Sequence, residues 1–222
     1  MIRHRWDIPP ARAIALQREL ASRVRIEPVS GPVLTIAGTD CAFAAGGSRI
    51  VAVAVLCDVG TLEVIASVHV SQTCRFPYVP GLLSFRETPA VIAAVKRLPD
   101  RPDLLMCDGQ GLAHPRRLGL ACHVGLWLNL PTIGTAKSRL CGEHRPVGNN
   151  RRCRVQLRDK GEIIGSVLRT RTGVKPLYVS VGHRATLDDA VRWTLRCAKK
   201  FRLAEPVRRA HLLVTSLVRS ST

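Results

Sequence analysis

Residues 33–70 read VLTIAGTDCAFAAGGSRIVAVAVLCDVGTLEVIASVHV. Three β-rich runs lie within this stretch, at 33–37, 50–57 and 62–70. The third alternates. Leu62, Val64, Ala66, Val68 and Val70 are apolar, with Glu63, Ser67 and His69 between them, the period-2 pattern of a strand with one buried face. Residues 58–61, which include Gly60, supply a turn between the second and third runs. Short connections between successive strands predict an antiparallel three-strand meander.

Outward from the meander, helices and strands alternate. Ala13, Leu16, Leu20 and Val24 recur at helical spacing and predict a helix over 11–24. A helix is expected after FPYVPGLLSFRE, running to about Leu98, and 104–107 reads as a short buried strand ending in Asp108-Gly109. A helix around 116–128, a strand near 132–135, strands at 162–168 and 177–180, and helices at 187–198 and 207–218 follow. The expectation is an α/β protein with a mixed central sheet that opens with the meander and is flanked by helices. This order matches a ribonuclease H-like fold better than a doubly wound sheet, which lacks the antiparallel start. No repeat, low-complexity tract or long linker divides the chain, so a single domain over 1–222 is expected.

Composition narrows the partners. Lys and Arg number 34 against 16 Asp and Glu, a formal charge of +18. Such an excess repels itself unless a polyanion uses it, and it is spread along the chain instead of forming a tail. Nucleic acid is therefore the leading partner, with a merely basic surface as the alternative. The longest apolar run, 50–57, falls far short of the roughly 20 residues needed to cross a bilayer. The opening MIRHRWDIPP lacks the apolar stretch of a signal peptide. No membrane association is expected. The eight cysteines contain no CxxC, so free thiols in a reducing cytoplasm are expected, and a zinc ribbon is not.

In so basic a chain, acids at the ends of apolar strands stand out. Asp40 follows the first run through Ile36-Ala37-Gly38-Thr39, and Asp108 follows 104–107. If those strands are parallel neighbours, both carboxylates meet at one sheet edge, where a divalent cation would relieve their repulsion. Each has a plainer reading. Asp108-Gly109 is a common turn pair. Glu87 could close a capping box with Ser84, although Thr88-Pro89 offers a competing helix start. His211 shares a face with Val207, Ala210, Val214 and Val218; it is either a core histidine or a ligand or proton carrier reaching the acids.

Four segments together resemble the endonuclease V family, the deoxyinosine 3′ endonucleases: IAGTDCAF (36–43), FPYVPGLLSFRETP (76–89), CDGQGLAHPRRLG (107–119) and PTIGTAKSRL (131–140). GEIIGSVLRTRTGVKPLYVSVGH (161–183) and Arg209-Ala210-His211 extend the match, which spans roughly Ala13 to His211. The family has a ribonuclease H-like fold and cleaves the second phosphodiester bond 3′ to a deaminated purine, leaving a 3′-hydroxyl and a 5′-phosphate.

The resemblance implies roles residue by residue. Asp40, Glu87 and Asp108 would hold Mg²⁺, with Mn²⁺ substituting, and His211, Lys137 and His114 would be catalytic. Pro77, Tyr78, Val79 and Pro80 would form a wedge that parts the strands. Backbone groups at Gly81, Leu83, Gly109 and Gly111 would surround the flipped base. The implied partner is DNA containing deoxyinosine or other deaminated bases, bound by a monomer. An inosine-specific endoribonuclease acting on inosine-containing RNA, and a non-catalytic nucleic-acid-binding protein of the same fold, are the alternatives. Two departures stand out. Gln110 occupies a position where many relatives carry His and receives no role, and the basic stretch GEHRPVGNNRRCR (142–154) has no evident place.

Overall fold

The computed structural model describes residues 2–220. Eight strands form one sheet in the order β3-β2-β1-β4-β5-β8-β7-β6. The meander comprises β1 (Thr35–Ala44), β2 (Arg49–Asp58) and β3 (Val64–Thr73), all antiparallel. It is joined in parallel by β4 (Leu104–Cys107) and then β5 (Thr132–Ala136). The antiparallel strands β8 (Leu177–His183), β7 (Glu162–Leu168) and β6 (Arg154–Asp159) complete it. This is the expected ribonuclease H-like α/β architecture.

Strand β2 shows why the sheet is central. Its side chains alternate between two cores: Ile50, Ala52, Ala54 and Leu56 join one, and Val51, Val53, Val55 and Cys57 the other. Helices α1 (Pro10–Ala21), α2 (Leu83–Val95) and α3 (Leu120–Leu128) cover the first face. Helices α4 (Leu187–Cys197) and α5 (Glu205–Arg219) cover the second. No helix among the described residues is long and apolar enough to cross a membrane. All eight cysteines are free.

Several boundaries differ from expectation for identifiable reasons. Leu62 is not in β3; it sits buried in the β2–β3 turn with φ 64°. The first helix stops at Ala21, and α3 starts at Leu120, after a turn around Arg116. Helix α2 begins inside the FPYVPGLLSFRE segment, and Pro89 lies within it. Neither Ser84 nor Thr88 caps it: the N-cap is Leu82, with no side-chain cap bond. Burial of Leu82 and Phe85, the latter stacked on Phe76 at 5.4 Å, outweighs the backbone bond that proline removes. Strand β6 was not expected at all. Only Val155 and Leu157 of its six residues point inward, too short an alternation to read among arginines.

Candidate active site

The parallel pairing of β1 and β4 runs from Ile36↔Leu104 to Thr39↔Cys107 and ends there. The Asp108 N–H donates to the Thr39 carbonyl at 3.0 Å, so the two aspartates emerge side by side. Asp40 does not end its strand as the sequence suggested. Strand β1 continues to Ala44 against β2 alone, and it is β4 that stops.

Helix α5 brings the histidine. A Cβ on Gly38 would lie 2.2–2.4 Å from backbone atoms of Pro206 and Val207. Only glycine therefore lets the first turn of α5 rest directly on β1. One turn later His211 Nδ1 lies 2.7 Å from Asp40 Oδ2, and its side chain, 43 % exposed, stands at the rim of the apolar stripe instead of inside it. Asp40 Oδ1 also accepts from the Cys41 N–H at 2.8 Å. Lys137, just past the end of β5, donates from Nζ to Asp108 Oδ2, and Nζ lies 3.3 Å from His211 Nδ1. Asp40, Asp108 and His211 offer three donor atoms all within 4.8 Å of one another.

Glu87 approaches from α2. It is buried, and no donor among the described residues bonds its carboxylate. Burial, then the charges of Asp40 and Asp108, push its pKa up to about 8, against a smaller opposing pull from Arg86. Asp108 is likewise raised, by burial and by Asp40, against Lys137 and His211. Glu87 lies outside the three-residue donor group, yet within electrostatic reach of both aspartates. The structure thus brings together Asp40, Asp108, His211 and Lys137, with Glu87 behind them.

His114 goes elsewhere. Its Nδ1 accepts from the Arg116 N–H at 3.1 Å, and its Nε2 donates to the Gly81 carbonyl at 3.0 Å. That is the neutral tautomer with both nitrogens engaged. Burial and Arg116 lower its pKa to about 4. It lines a cavity of about 200 Å³ together with Tyr78, Val79, Pro80, Gly81, Leu83 and Gly109. Pro77 lies outside that lining; it borders a separate hollow with Trp6 and Arg86. Tyr78 is 72 % exposed and faces the Arg86 guanidinium at 5.7 Å.

Two of the glycines expected around the base have their amides committed. The Gly109 N–H donates to the Cys107 carbonyl at 2.9 Å, and the Gly111 N–H to Ser180 Oγ at 2.8 Å. Gly111 is also tightly packed, since a Cβ there would meet the Val181 carbonyl oxygen at 1.9 Å. The first turn of α2, at the same cavity, has no side-chain cap on its amides.

Sequence reasoning missed three supporting residues. Gln17, fully buried on α1, donates to the Gly81 and Leu118 carbonyls, each at 3.1 Å, and accepts from Arg116 Nε at 2.5 Å. With Arg116 Nη2 at 2.6 Å and His114, three side chains converge on the Gly81 carbonyl, where φ is +79°. Arg202 Nη2 donates to the Lys137 and Pro176 carbonyls at 2.7 and 2.9 Å and holds the lysine segment in place. Ser180 holds Gly111. These contacts span 26 to 101 residues of sequence, and no local pattern marks them.

A sequence model of endonuclease V matches residues 18–212. The chain is 49 % identical to endonuclease V of Azotobacter vinelandii over 210 residues, 95 % of either chain. It is 46 % identical to that of Myxococcus xanthus over 217 residues, 97 % of this chain and 92 % of the relative. Its fold superposes on the crystal structure of Streptomyces avermitilis endonuclease V with a TM-score of 0.92 at 42 % identity, covering 99 % of this chain and 97 % of that one. A Ciona intestinalis endonuclease V, solved with a 23mer DNA containing an inosine followed by a ribo-adenosine, shares the fold at a TM-score of 0.85 and 22 % identity, covering 97 % and 100 %. Acid edge, cavity and near-full-length similarity agree: the chain belongs to the endonuclease V family.

Proposed function

We propose that the protein is a divalent-cation-dependent DNA repair endonuclease that hydrolyses the second phosphodiester bond 3′ to deoxyinosine, leaving a 3′-hydroxyl and a 5′-phosphate. The observation that carries this is the acid edge: Asp40, Asp108 and a buried Glu87 converge in a chain of net charge +18. Left alone, such a cluster destabilises the fold. Hard carboxylate oxygens suit Mg²⁺ or Mn²⁺, and the Lys137 ammonium on Asp108 occupies a position that calls for positive charge.

Asp40, Asp108 and Glu87 would hold the cation, which when bound supplies charge neutralisation at the phosphate and an activated water. Every other contribution comes from the chain itself. Asp40 accepts the Nδ1 proton of His211 and so fixes the tautomer, leaving Nε2 free to take or return a proton. Lys137 Nζ can transfer from Asp108 to a non-bridging phosphate oxygen and stabilise the charge that develops there. Tyr78, largely exposed, borders the cavity. Its ring would fill the gap left by an extruded base, and extrusion costs least for a mispaired one. The first-turn amides of Leu83 and Ser84 on α2 would read the O6 acceptor of hypoxanthine, which adenine lacks; that of Phe85 already donates to the Leu82 carbonyl. A cut displaced to the 3′ side leaves the base in place, so its removal falls to other activities.

The test is parallel incubation of DNA and RNA oligonucleotides bearing one inosine, with Mg²⁺, with Mn²⁺ and with chelator. Nicking of the DNA with metal only, abolished in Asp40→Ala and Asp108→Ala while binding is retained, is the expected result. Preferential RNA cleavage would move the substrate to RNA. Absence of cleavage with every metal would leave a binding protein.

A further inference from the structure

The basic stretch 142–154, which the proposed chemistry does not use, runs to the far edge of the sheet. Glu143 forms an antiparallel bridge with Arg158, their backbones exchanging bonds of 2.6 and 2.9 Å, so the segment lies along edge strand β6. Along β6, Arg154, Gln156 and Arg158 are exposed, while Leu157 between them is buried in a small apolar cluster with Ile164 and Val167. That alternation puts the cations on one outward face. Between this face and the 143–145 segment lies an open groove of about 830 Å³, lined by Arg145, Arg154, Arg158 and His144, with Glu143 the single acid.

These cations are weakly committed. Arg154 pairs with Asp188, whose side chain is 84 % exposed, an ion pair of little strength. Among the described residues the Arg158 guanidinium bonds only neutral oxygens, of Gln156 and Gly161. No partner for the Arg145 guanidinium occurs among the described residues. The same chain segment links groove and site: Lys137 touches Asp108, Leu140 lines the cavity, and Glu143 lines the groove. Six residues span at most about 20 Å, the length of roughly six base pairs at 3.4 Å each.

We propose that this groove is a second nucleic-acid contact, in which Arg145, Arg154 and Arg158 hold the phosphate backbone of duplex DNA flanking the lesion. It rests on the reading of the acid edge as a nuclease site. The groove carries no base-reading pocket, so its contribution is indifferent to sequence and to inosine. It acts on binding and not on the bond-breaking step.

The experiment compares wild type with the triple variant R145Q/R154Q/R158Q. Binding is measured by fluorescence anisotropy on duplexes with and without inosine, each flank being lengthened in turn from about 4 to about 12 base pairs, between 50 and 200 mM salt. Wild type gains affinity once one flank passes about six base pairs. The variant loses that gain, and its log Kobs–log salt slope shrinks by about 2.7, or 0.9 per lost phosphate contact. Its kcat on a saturating short inosine duplex and its melting temperature stay at the wild-type values. An unchanged slope and an unchanged flank dependence in the triple variant would overturn the groove assignment. Nicking by wild type is scored separately. If the slope falls but wild type cuts nothing, the nuclease reading fails and the groove stands; the reverse pattern removes the groove alone.

Discussion

The acid edge and the cavity beside it are built on opposite principles. At the edge, like charges are crowded and under-satisfied: Glu87 is buried with no hydrogen bond among the described residues, and Asp108 is balanced by Lys137 with help from His211. At the cavity, the groups that hold the loop are paired with one another, the Arg116 guanidinium with Gln17 and with the Gly81 carbonyl. Gln17 uses both ends of its amide, His114 uses both nitrogens, and Gly81 accepts three donors. The edge is incomplete until something cationic arrives, whereas the loop over the cavity is held in place beforehand. Reaction chemistry needs groups whose charge is free to be redirected, and recognition needs groups that do not move.

The contrast is broken most severely by neutralising the edge. Glu87→Gln keeps shape and burial but removes a charge. Loss of several kcal/mol of charge stabilisation predicts a fall in nicking of about 10³-fold or more. The metal-free protein, however, gains stability. The folded pKa of Glu87 stands near 8 against an ordinary value of 4.5, so the folded state holds a proton that the unfolded chain releases. Wild-type stability from this group is therefore full below about pH 4.5 and is lost as pH rises through 8. Thermal melts in chelator should show Glu87→Gln more stable than wild type above about pH 5, by up to a few kcal/mol near pH 8. Mg²⁺ should stabilise wild type and leave the variant nearly unmoved. A variant less stable than wild type at pH 8 would mean that the edge is not strained.

The two regions were also unequally legible. The edge was readable because its chemistry is written in rare residues beside apolar runs: Asp40 and Asp108 follow such runs, and parallel pairing of those runs is enough to bring them together, even though β1 continues past Asp40. The family motifs supplied Glu87, Lys137 and His211. The cavity's supports were not readable, since Gln17 looks like any glutamine on an amphipathic helix and its partners lie 64, 99 and 101 residues away. His114 was placed with the catalytic group by motif, and only its two hydrogen bonds reveal a loop-holder. Strand β6 and the start of α2 were missed because local rules, the inward-facing count and the proline, were overridden by tertiary packing.

A smaller effect separates support from chemistry at the cavity. Gln17→Leu preserves volume but deprives Arg116 Nε and the Leu118 carbonyl of partners, while Gly81 keeps two of its three donors. A loss of about 1–3 kcal/mol of stability is expected. If half of that is felt at the loop, KM for an inosine duplex rises about threefold to tenfold and preference over an unmodified duplex falls in proportion. The kcat at saturation stays near wild type, because the acid edge is untouched. A fall in kcat with unchanged KM would place Gln17 in support of the edge instead.

The smallest effect lies in the acid range, where the two regions pull in opposite directions. Burial, followed by Arg116, holds His114 near pKa 4 against an ordinary 6.5, and burial keeps His123, bonded to Ser84 beside the cavity, well below it. For a histidine lowered in the fold, the unfolded chain binds the extra proton, so its stability is full above about pH 6.5 and drains as pH falls through 4. Glu87 slopes the other way between 4.5 and 8. Metal-free wild type should therefore show a shallow stability maximum near the crossover of these slopes. Bound Mg²⁺ should raise only the alkaline side, turning the maximum into a plateau that extends upward. His114→Gln retains a donor for Gly81 but cannot titrate, and it should flatten the acid slope by up to one proton while leaving the alkaline side as it was. Urea melts at half-unit pH steps with and without Mg²⁺ resolve the two arms. An acid slope unchanged by His114→Gln would mean that the histidine is already protonated in the folded state, and that its role as a neutral loop-holder, accepting from Arg116 and donating to Gly81, is lost with it.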